Sequence, residues 1–188
     1  KRAKRRAGAV RHRDGEPLTA PEQAVLMSAA RMELYDALLA ADLCDDSDLA
    51  MEVSEYFPEV LNQRFGDRQD GHRLRRAIAA SMVTNTVVNR MGASFAFRLA
   101  EQTGADYAAI ARAFLAARRV FDLPDLWQAV AALDGRVATT LQYELFTHLR
   151  RLASRATLWL LRNRSRHLPI AATAGALRPA VETVAGTL

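Results

Sequence analysis

The chain of 188 residues contains one cysteine, Cys44, and few of the residues that interrupt helices. A single cysteine excludes an internal disulfide and the usual cysteine-rich zinc clusters, and it fits a cytoplasmic protein. Because Cys44 follows an apolar leucine and has no base nearby in the sequence, we interpret it as a structural thiol. Only nine glycines and six prolines occur, while alanine and leucine are abundant, so the composition favours helices.

The sequence also lacks long apolar runs and known nucleotide or nucleophile motifs. The apolar run at 158–161 (LWLL) is far too short to span a bilayer, which requires about 20 residues. The basic N-terminus has no apolar signal-peptide segment. There is no initiator methionine, which we expect of a fragment. The patterns Gly-x-Gly-x-x-Gly, Gly-x-x-x-x-Gly-Lys and Gly-x-Ser-x-Gly are absent, so no motif supports nucleotide binding or nucleophilic catalysis by this chain.

Charge is distributed unevenly along the chain. The formal net charge is +5, yet residues 1–13 alone carry seven basic groups and no acid, so the remainder has 19 basic and 21 acidic residues. Residues 33–59, the acidic segment, contain nine acids and no base, whereas residues 150–178 contain seven arginines and no acid. We interpret 1–17 as a basic linker or incoming segment and 18–188 as one helical domain.

Hydrophobic periodicity and capping residues predict an all-α, irregular bundle of about eight helices. A capping box of Thr19 and Glu22 opens a helix that ends near Ala40. The others are predicted from a cap at Asp45, Asp46 or Ser47 to before Pro58, then at 58–65, 70–91 with a stop at Gly92, 94–103, 107–121 with a cap at Asp106, 123–133, 138–164, and 169–186 with an interruption near Gly175 or Pro179.

Two helices show apolar stripes that predict which side is buried. In the helix at 70–91 the stripe consists of Leu74, Ile78, Met82, Asn85, Val88 and Asn89. Its other side is also apolar, through Ala79, Val83 and Val87, so we expect this helix to be central. In the helix at 138–164 the stripe consists of Leu141, Leu145, Leu149, Leu152, Ala156 and Trp159.

Asn85, Asn89 and Arg90 are the most unusual polar residues of the central helix. Because a buried amide without partners costs roughly 1–3 kcal/mol, both asparagines need partners. They either bind carbonyls within the bundle or reach a neighbouring domain. Arg90 lies on a different side, where it could pair with the acidic segment or face another domain.

The arginine-rich helix carries His148, Arg151, Arg155, Arg162 and Arg166 within one sector. This surface could bind phosphates, could contact the acidic segment or another domain, or could simply be solvated. The basic tail, residues 1–13, could bind nucleic acid but lacks interleaved aromatic residues for stacking on bases. Glu144 and His148 are one turn apart, yet no second half of a metal site accompanies them, so we interpret them as surface residues. We assign no catalytic, cofactor-binding or metal-binding residue.

Several longer segments occur in order from Leu18 to the end of the chain. They are 18–26 (LTAPEQAVL), 34–43 (LYDALLAADL), 56–58 (YFP), 72–76 (HRLRR), Asn85 with 88–92 (VNRMG) and Phe95, 98–105 (RLAEQTGA), 120–127 (VFDLPDLW) and 150–164, which includes WLLRNR. They resemble the C-terminal helical region of the large bacterial NAD-specific glutamate dehydrogenases. Ala20 and Gln23 depart from the arginine and leucine expected there.

The resemblance implies a cytoplasmic, homo-oligomeric enzyme that oxidises L-glutamate to 2-oxoglutarate and ammonia with NAD. It implies that NAD and the substrate bind to domains upstream, so 18–188 would be a C-terminal accessory domain that supports or regulates them and is inactive alone. Its partners would then be those catalytic domains, with no membrane, and nucleic acid is disfavoured. Candidate interdomain contacts are Asn85, Asn89, Arg90, Arg151 and Arg155. The alternatives are a stand-alone nucleic-acid or adaptor module and an oligomerisation domain.

Overall fold

The structure is a computed structural model that describes residues 18–186, and the basic tail lies outside this range. Among these residues there are nine α-helices and no strand, which confirms the predicted all-α fold of about eight helices. The helices are α1 (Ala20–Ala40), α2 (Ala50–Ser54), α3 (Glu59–Phe65), α4 (Arg75–Met91), α5 (Phe95–Thr103), α6 (Tyr107–Val120), α7 (Leu123–Ala131), α8 (Thr139–Asn163) and α9 (Ile170–Gly186). Short 3-10 turns lie at Asp42–Asp45, Ser47–Leu49 and Gly66–Arg68.

The predicted caps lie where the sequence indicated. The backbone N–H of Thr19 donates to Glu22 Oε2 at 3.0 Å, which forms part of the capping box at the start of α1. Asp106 Oδ1 accepts the N–H of Ala109 at 2.7 Å at the start of α6. Gly92 and Gly104 follow α4 and α5 with positive φ angles of 91° and 65°. These features depend on neighbouring residues alone, so sequence is sufficient to predict them.

The helix predicted between Asp45 and Pro58 is replaced by a 3-10 turn at Ser47–Leu49 and the five-residue helix α2, and another 3-10 turn precedes them at Asp42–Asp45. Asp46 Oδ1 accepts the N–H of Asp48 at 2.9 Å. Such short-range bonds from aspartate offer the backbone an alternative to helical hydrogen bonding. Leu43 and Leu49 are fully buried on either side of this bond and fasten the segment to the core.

Helix α4 begins at Arg75 rather than at Asp70 as predicted. His72 Nδ1 accepts the N–H of Leu74 at 3.2 Å, and the N–H of Arg75 donates to the His72 carbonyl at 2.8 Å. Together with Gly71, these bonds keep the preceding residues in turns. The carboxylate of Asp70 pairs with Arg75 at 3.3 Å instead of capping a helix.

The most deeply buried side of α4 is also not the predicted one. Ala79, Val83 and Val87 are at most 1% exposed, whereas Leu74 is 49% exposed and Asn89 is exposed. The central helix is instead α6, of whose 14 residues eleven are buried. It packs against α1, α4, α5, α8 and α9. Its many alanines allow these neighbours to approach closely on several sides.

Helix α8 rests on smaller side chains than the stripe predicted. Ala153, Thr157 and Leu160 are buried, whereas Leu141 and Trp159, predicted to be core residues, are 46% and 48% exposed. The hydroxyl of Thr157 donates to the Ala153 carbonyl at 2.7 Å, so a polar side chain is buried with its donor satisfied. Small residues at this contact bring α8 close to the alanine-rich surface of α6.

Helix α9 is continuous from Ile170 to Gly186, and the predicted interruption is absent. Pro179 has no N–H to donate to the carbonyl of Gly175. Both residues are exposed, so that carbonyl can be hydrated and the helix continues through the proline.

Replacing Gly92 by alanine should destabilise the chain through its backbone alone. Its φ of 91° and ψ of 156° lie in a region adopted almost only by glycine, while a Cβ would meet nothing within 4 Å. We expect Gly92→Ala to lower the free energy of unfolding by about 1–3 kcal/mol in urea titrations. Gly175→Ala, in open space within α9, is the control and should raise it by about 0.4–1 kcal/mol. Equal stability of Gly92→Ala and the parent would contradict this.

Candidate functional site

A buried cluster of arginines and carboxylates joins the acidic segment to the central helix. Glu52 is fully buried, and its two oxygens lie 3.2 Å from Arg118 Nη1 and 3.1 Å from Arg119 Nη2. Arg118 also binds Glu55 at 2.9 Å. Both arginines come from the last turn of α6, so this helix end carries the positive charge that the carboxylates require.

Further arginines hold the same segment by its backbone. Arg75 donates to the carbonyls of Cys44 at 2.7 Å and Asp46 at 3.1 Å. Arg76 donates to the Leu39 carbonyl at 2.7 Å. This carbonyl lies in the last turn of α1, so no N–H of the helix is available to it. Arg112, itself 7% exposed, binds the carboxylate of Asp46. The acidic segment is therefore paired with arginines of α4 and α6, and pairing with the stripe at 151–166 is not observed.

Burial and hydrogen bonding change the acidity of two carboxyl groups in this cluster. Burial raises the pKa of Glu52, although Arg119 and Arg118 oppose the change. Partial burial of Asp46 acts in the same direction, but the N–H of Asp48 and the guanidinium of Arg112 outweigh it and lower the pKa of Asp46. Asp46 therefore stabilises the fold above its ordinary pKa, and this contribution is lost as the pH falls through its lowered pKa.

A cavity of about 780 Å³ adjoins the cluster, and its charged side chains are largely neutralised by one another. Arg178 of α9 binds the carboxylate of Asp122 and donates to the Arg119 carbonyl at 3.2 Å. Asp48 Oδ2 accepts the N–H of Ala171 at 3.0 Å. These bonds attach α9 to the acidic segment and to α6, so we interpret the cavity as part of a structural network.

The structure separates the predicted interdomain residues of α4. Asn85 is half-buried and accepts a hydrogen bond from Arg31 of α1, so its partner lies within the bundle. Asn89 is exposed. Arg90 is exposed and lies over the ring of Trp127 at 4.7 Å, not against the acidic segment. A cation over an indole ring in this arrangement is attracted by the face of the ring.

Arg151 and Arg155 are exposed on α8, and no carboxylate with a described side chain pairs with either of them. Arg151 does line a cavity of about 340 Å³ together with Arg150 and with Arg98 of α5. Sequence reasoning assigned no role to Arg98, because it is distant in the chain from the arginine-rich helix and was noted only as the first residue of the 98–105 segment.

An apolar groove of about 500 Å³ runs between α6, α8 and α9. Trp159 is 48% exposed and Val184 63% exposed along it. The other lining residues are Ala117, Val120, Phe121, Ala156, Leu160, Leu177, Ala180 and Val181. Exposed apolar surface that is concave and contiguous is typical of interaction sites.

The part of the chain that the structure describes holds neither a cluster of metal ligands nor a membrane-spanning helix. No three His, Cys, Asp or Glu side chains in this part come together as metal ligands. None of its helices combines the length and apolar character needed to cross a bilayer. Glu144 and His148, one turn apart on α8, are both exposed.

Comparison with known proteins gives consistent matches. Residues 15–188 match the family described as "Glutamate dehydrogenase, C-terminal". The chain is 41% identical over 155 residues to an NAD-specific glutamate dehydrogenase of Halomonas elongata and 38% identical over 157 residues to that of Pseudomonas aeruginosa. A Mycobacterium tuberculosis enzyme of the same name is 34% identical over 158 residues. These matches cover 82–84% of the chain but only 10% of each relative. The nucleic-acid or adaptor alternative gains no support from them.

Removing Arg118 should destabilise the chain in a pH-dependent way. In Arg118→Met, Glu52 stays buried and keeps only Arg119 as a partner, so we expect a loss of about 1.5–3 kcal/mol at neutral pH, the size of a hydrogen bond to a charged group. Because burial raises the pKa of Glu52, this carboxylate takes up a proton at a higher pH in the folded chain than in the unfolded chain. The loss of stability in the variant should therefore shrink as the pH falls through the raised pKa. Urea titrations at several pH values measure the difference in free energy of unfolding between the variant and the parent. The contribution of Asp46 is the same in both chains and cancels in this difference.

The control for Arg118→Met is Arg162→Met, which removes an exposed arginine of α8. Its unfolding midpoint should match that of the parent. A loss in Arg118→Met that stayed constant with pH would show that Glu52 does not cause it.

Cys44 should be unreactive in the folded chain. It is fully buried, its thiol donates to the Leu38 carbonyl at 3.1 Å, and burial raises its pKa to about 11. Since the thiolate is the reactive form, labelling by Ellman's reagent at pH 8 should proceed no faster than unfolding. The same chain in urea should react at the rate of free cysteine. Rapid stoichiometric labelling in native buffer would contradict a buried thiol.

Proposed function

Since this chain belongs to the glutamate dehydrogenase C-terminal family, we propose that it is a non-catalytic helical domain of an NAD-dependent glutamate dehydrogenase. The whole enzyme would convert L-glutamate, NAD and water to 2-oxoglutarate, ammonia and NADH. The observation that carries the proposal is the family match over residues 15–188, in a chain that spans about a tenth of the length of its curated relatives.

The arrangement of charges supports a structural rather than a catalytic role. The buried carboxylates and arginines bind one another and the backbone of the acidic segment. A general acid or base needs access to substrate, whereas Glu52 is fully covered. In this proposal NAD and glutamate bind to domains elsewhere in the polypeptide, and this domain supports or regulates them.

The exposed surfaces suggest how the domain contacts the rest of the enzyme. We place the main contact at the apolar groove around Trp159. Covering this groove removes apolar surface from water, which is favourable. Asn89, Arg90 and Arg155 are exposed and available for polar contacts, whereas Asn85 is already bound to Arg31. We further propose a cytoplasmic homo-oligomer, in accordance with the single cysteine and the resemblance to this enzyme class.

The proposal is tested by comparing the isolated chain with the full-length polypeptide that contains it. Alone, the chain should not form NADH from glutamate and NAD. Trp159→Ala should lower the melting temperature of the full-length enzyme more than that of the isolated chain, because the groove is covered only in the full-length enzyme. It should also lower the activity of the full-length enzyme. The matched control is Tyr143→Ala, an aromatic residue of the same helix that is 70% exposed and outside the groove.

Two results would contradict the proposal. Glutamate-dependent NADH formation by the isolated chain would place catalytic groups within it. Equal effects of Trp159→Ala on the two forms would show that the groove makes no contact with the rest of the enzyme.

A further inference from the structure

The concave surface between α5 and α8 differs in charge from the cavity beside Glu52. Its volume is about 340 Å³, and Arg98, Arg150 and Arg151 line it together with Thr147, Ser154 and the buried side chains of Met91 and Phe95. We call it the arginine pocket. None of its lining residues is acidic.

Helical geometry brings these groups together. Thr147 precedes Arg150 and Arg151 by three and four residues, and Ser154 follows them by four and three, so all four lie on one side of α8. Arg98 approaches from α5 on the opposite wall. Met91 and Phe95 are each 1% exposed, so the floor of the pocket is fixed by the core.

The three guanidinium groups of the arginine pocket lack the partners that the buried arginines have. Arg112, Arg118 and Arg119 each bind a carboxylate, whereas Arg98, Arg150 and Arg151 bind none of the carboxylates whose side chains the structure describes. Like charges around one cavity repel one another, and an anion between them would remove this repulsion. Guanidinium groups present paired N–H donors that match the oxygens of carboxylates and phosphates.

We propose that the arginine pocket binds a small anion with two or more negatively charged oxygens, of the phosphate or polycarboxylate class. The hydroxyl of Ser154 forms no hydrogen bond within the described residues and can donate to such a ligand, whereas that of Thr147 already donates to the Tyr143 carbonyl at 2.9 Å. The larger cavity beside Glu52 is not suited to such a ligand, because its arginines already pair with Glu52, Glu55 and Asp122. The site is separate from the apolar groove and does not require that the groove is an interface.

Isothermal titration calorimetry of the chain with inorganic pyrophosphate and with tricarballylate tests the proposal. The chain has a continuous core from α1 to α9, which supports its folding as an independent unit. We expect saturable binding of at least one probe. Arg98→Gln and Arg151→Gln should each weaken it about tenfold or more, because each removes charge-assisted hydrogen bonds. Arg98→Lys, which keeps the charge but not the paired donors, should lie between Arg98→Gln and the parent.

The matched control is Arg162→Gln, which removes the same charge from an exposed position on α8 outside the pocket. It should change affinity less than about twofold, since an exposed charge acts weakly at a distance through water. Circular dichroism verifies that each variant is folded, which is expected because all of these arginines are exposed.

Three outcomes would overturn the proposal. The first is the absence of saturable binding of either probe. The second is a loss of affinity in Arg162→Gln as large as that in Arg151→Gln, which would indicate diffuse attraction. The third is binding by the isolated chain that is lost in the full-length polypeptide, which would show that another part of the protein covers the pocket.

Discussion

The ion pairs of Glu52 with Arg118 and Arg119 are the interaction on which the rest of the structure depends. A fully buried carboxylate is costly unless its charge is paired and its oxygens accept hydrogen bonds. Both oxygens of Glu52 are occupied by the last turn of α6, which determines where the acidic segment lies. Asp48 of that segment accepts the N–H of Ala171 at the start of α9. Arg178 of α9 in turn donates to the Arg119 carbonyl at the end of α6. One buried charge thus fixes three separate parts of the chain relative to one another.

The ends of the helices were predictable from sequence to a large extent, because they depend on residues a few positions apart. Thr19, Asp106, Gly92 and Gly104 all act where they were expected to. The starts of α2 and α4 were not, since Asp46 and His72 bind nearby N–H groups and hold the chain in turns. Such competition between side chain and helix depends on small energy differences that the sequence pattern does not display.

The buried faces and the ion pairs were harder to predict than the helices. Leu74 and Trp159 are large and apolar, yet they are 49% and 48% exposed, whereas the smaller Ala79 and Ala153 are fully buried. Contact between the acidic segment and the arginine-rich helix was one of the alternatives that the sequence left open, and the choice of α4 and α6 over α8 follows from packing between residues distant in sequence. For the same reason the sequence indicated Arg151 but not Arg98 on the opposite wall of the arginine pocket.

The enclosure of α6 has a consequence for how the chain emerges during synthesis. Ile110, Phe114 and Leu115 belong to the deepest part of the core, while the helices α8 and α9 that cover them begin only at Thr139 and Ile170. A ribosome adds roughly 5–20 residues each second, so these side chains remain without their final neighbours for seconds. The nascent chain passes through this exposed intermediate each time the domain is made, and its apolar surface is the kind that chaperones bind.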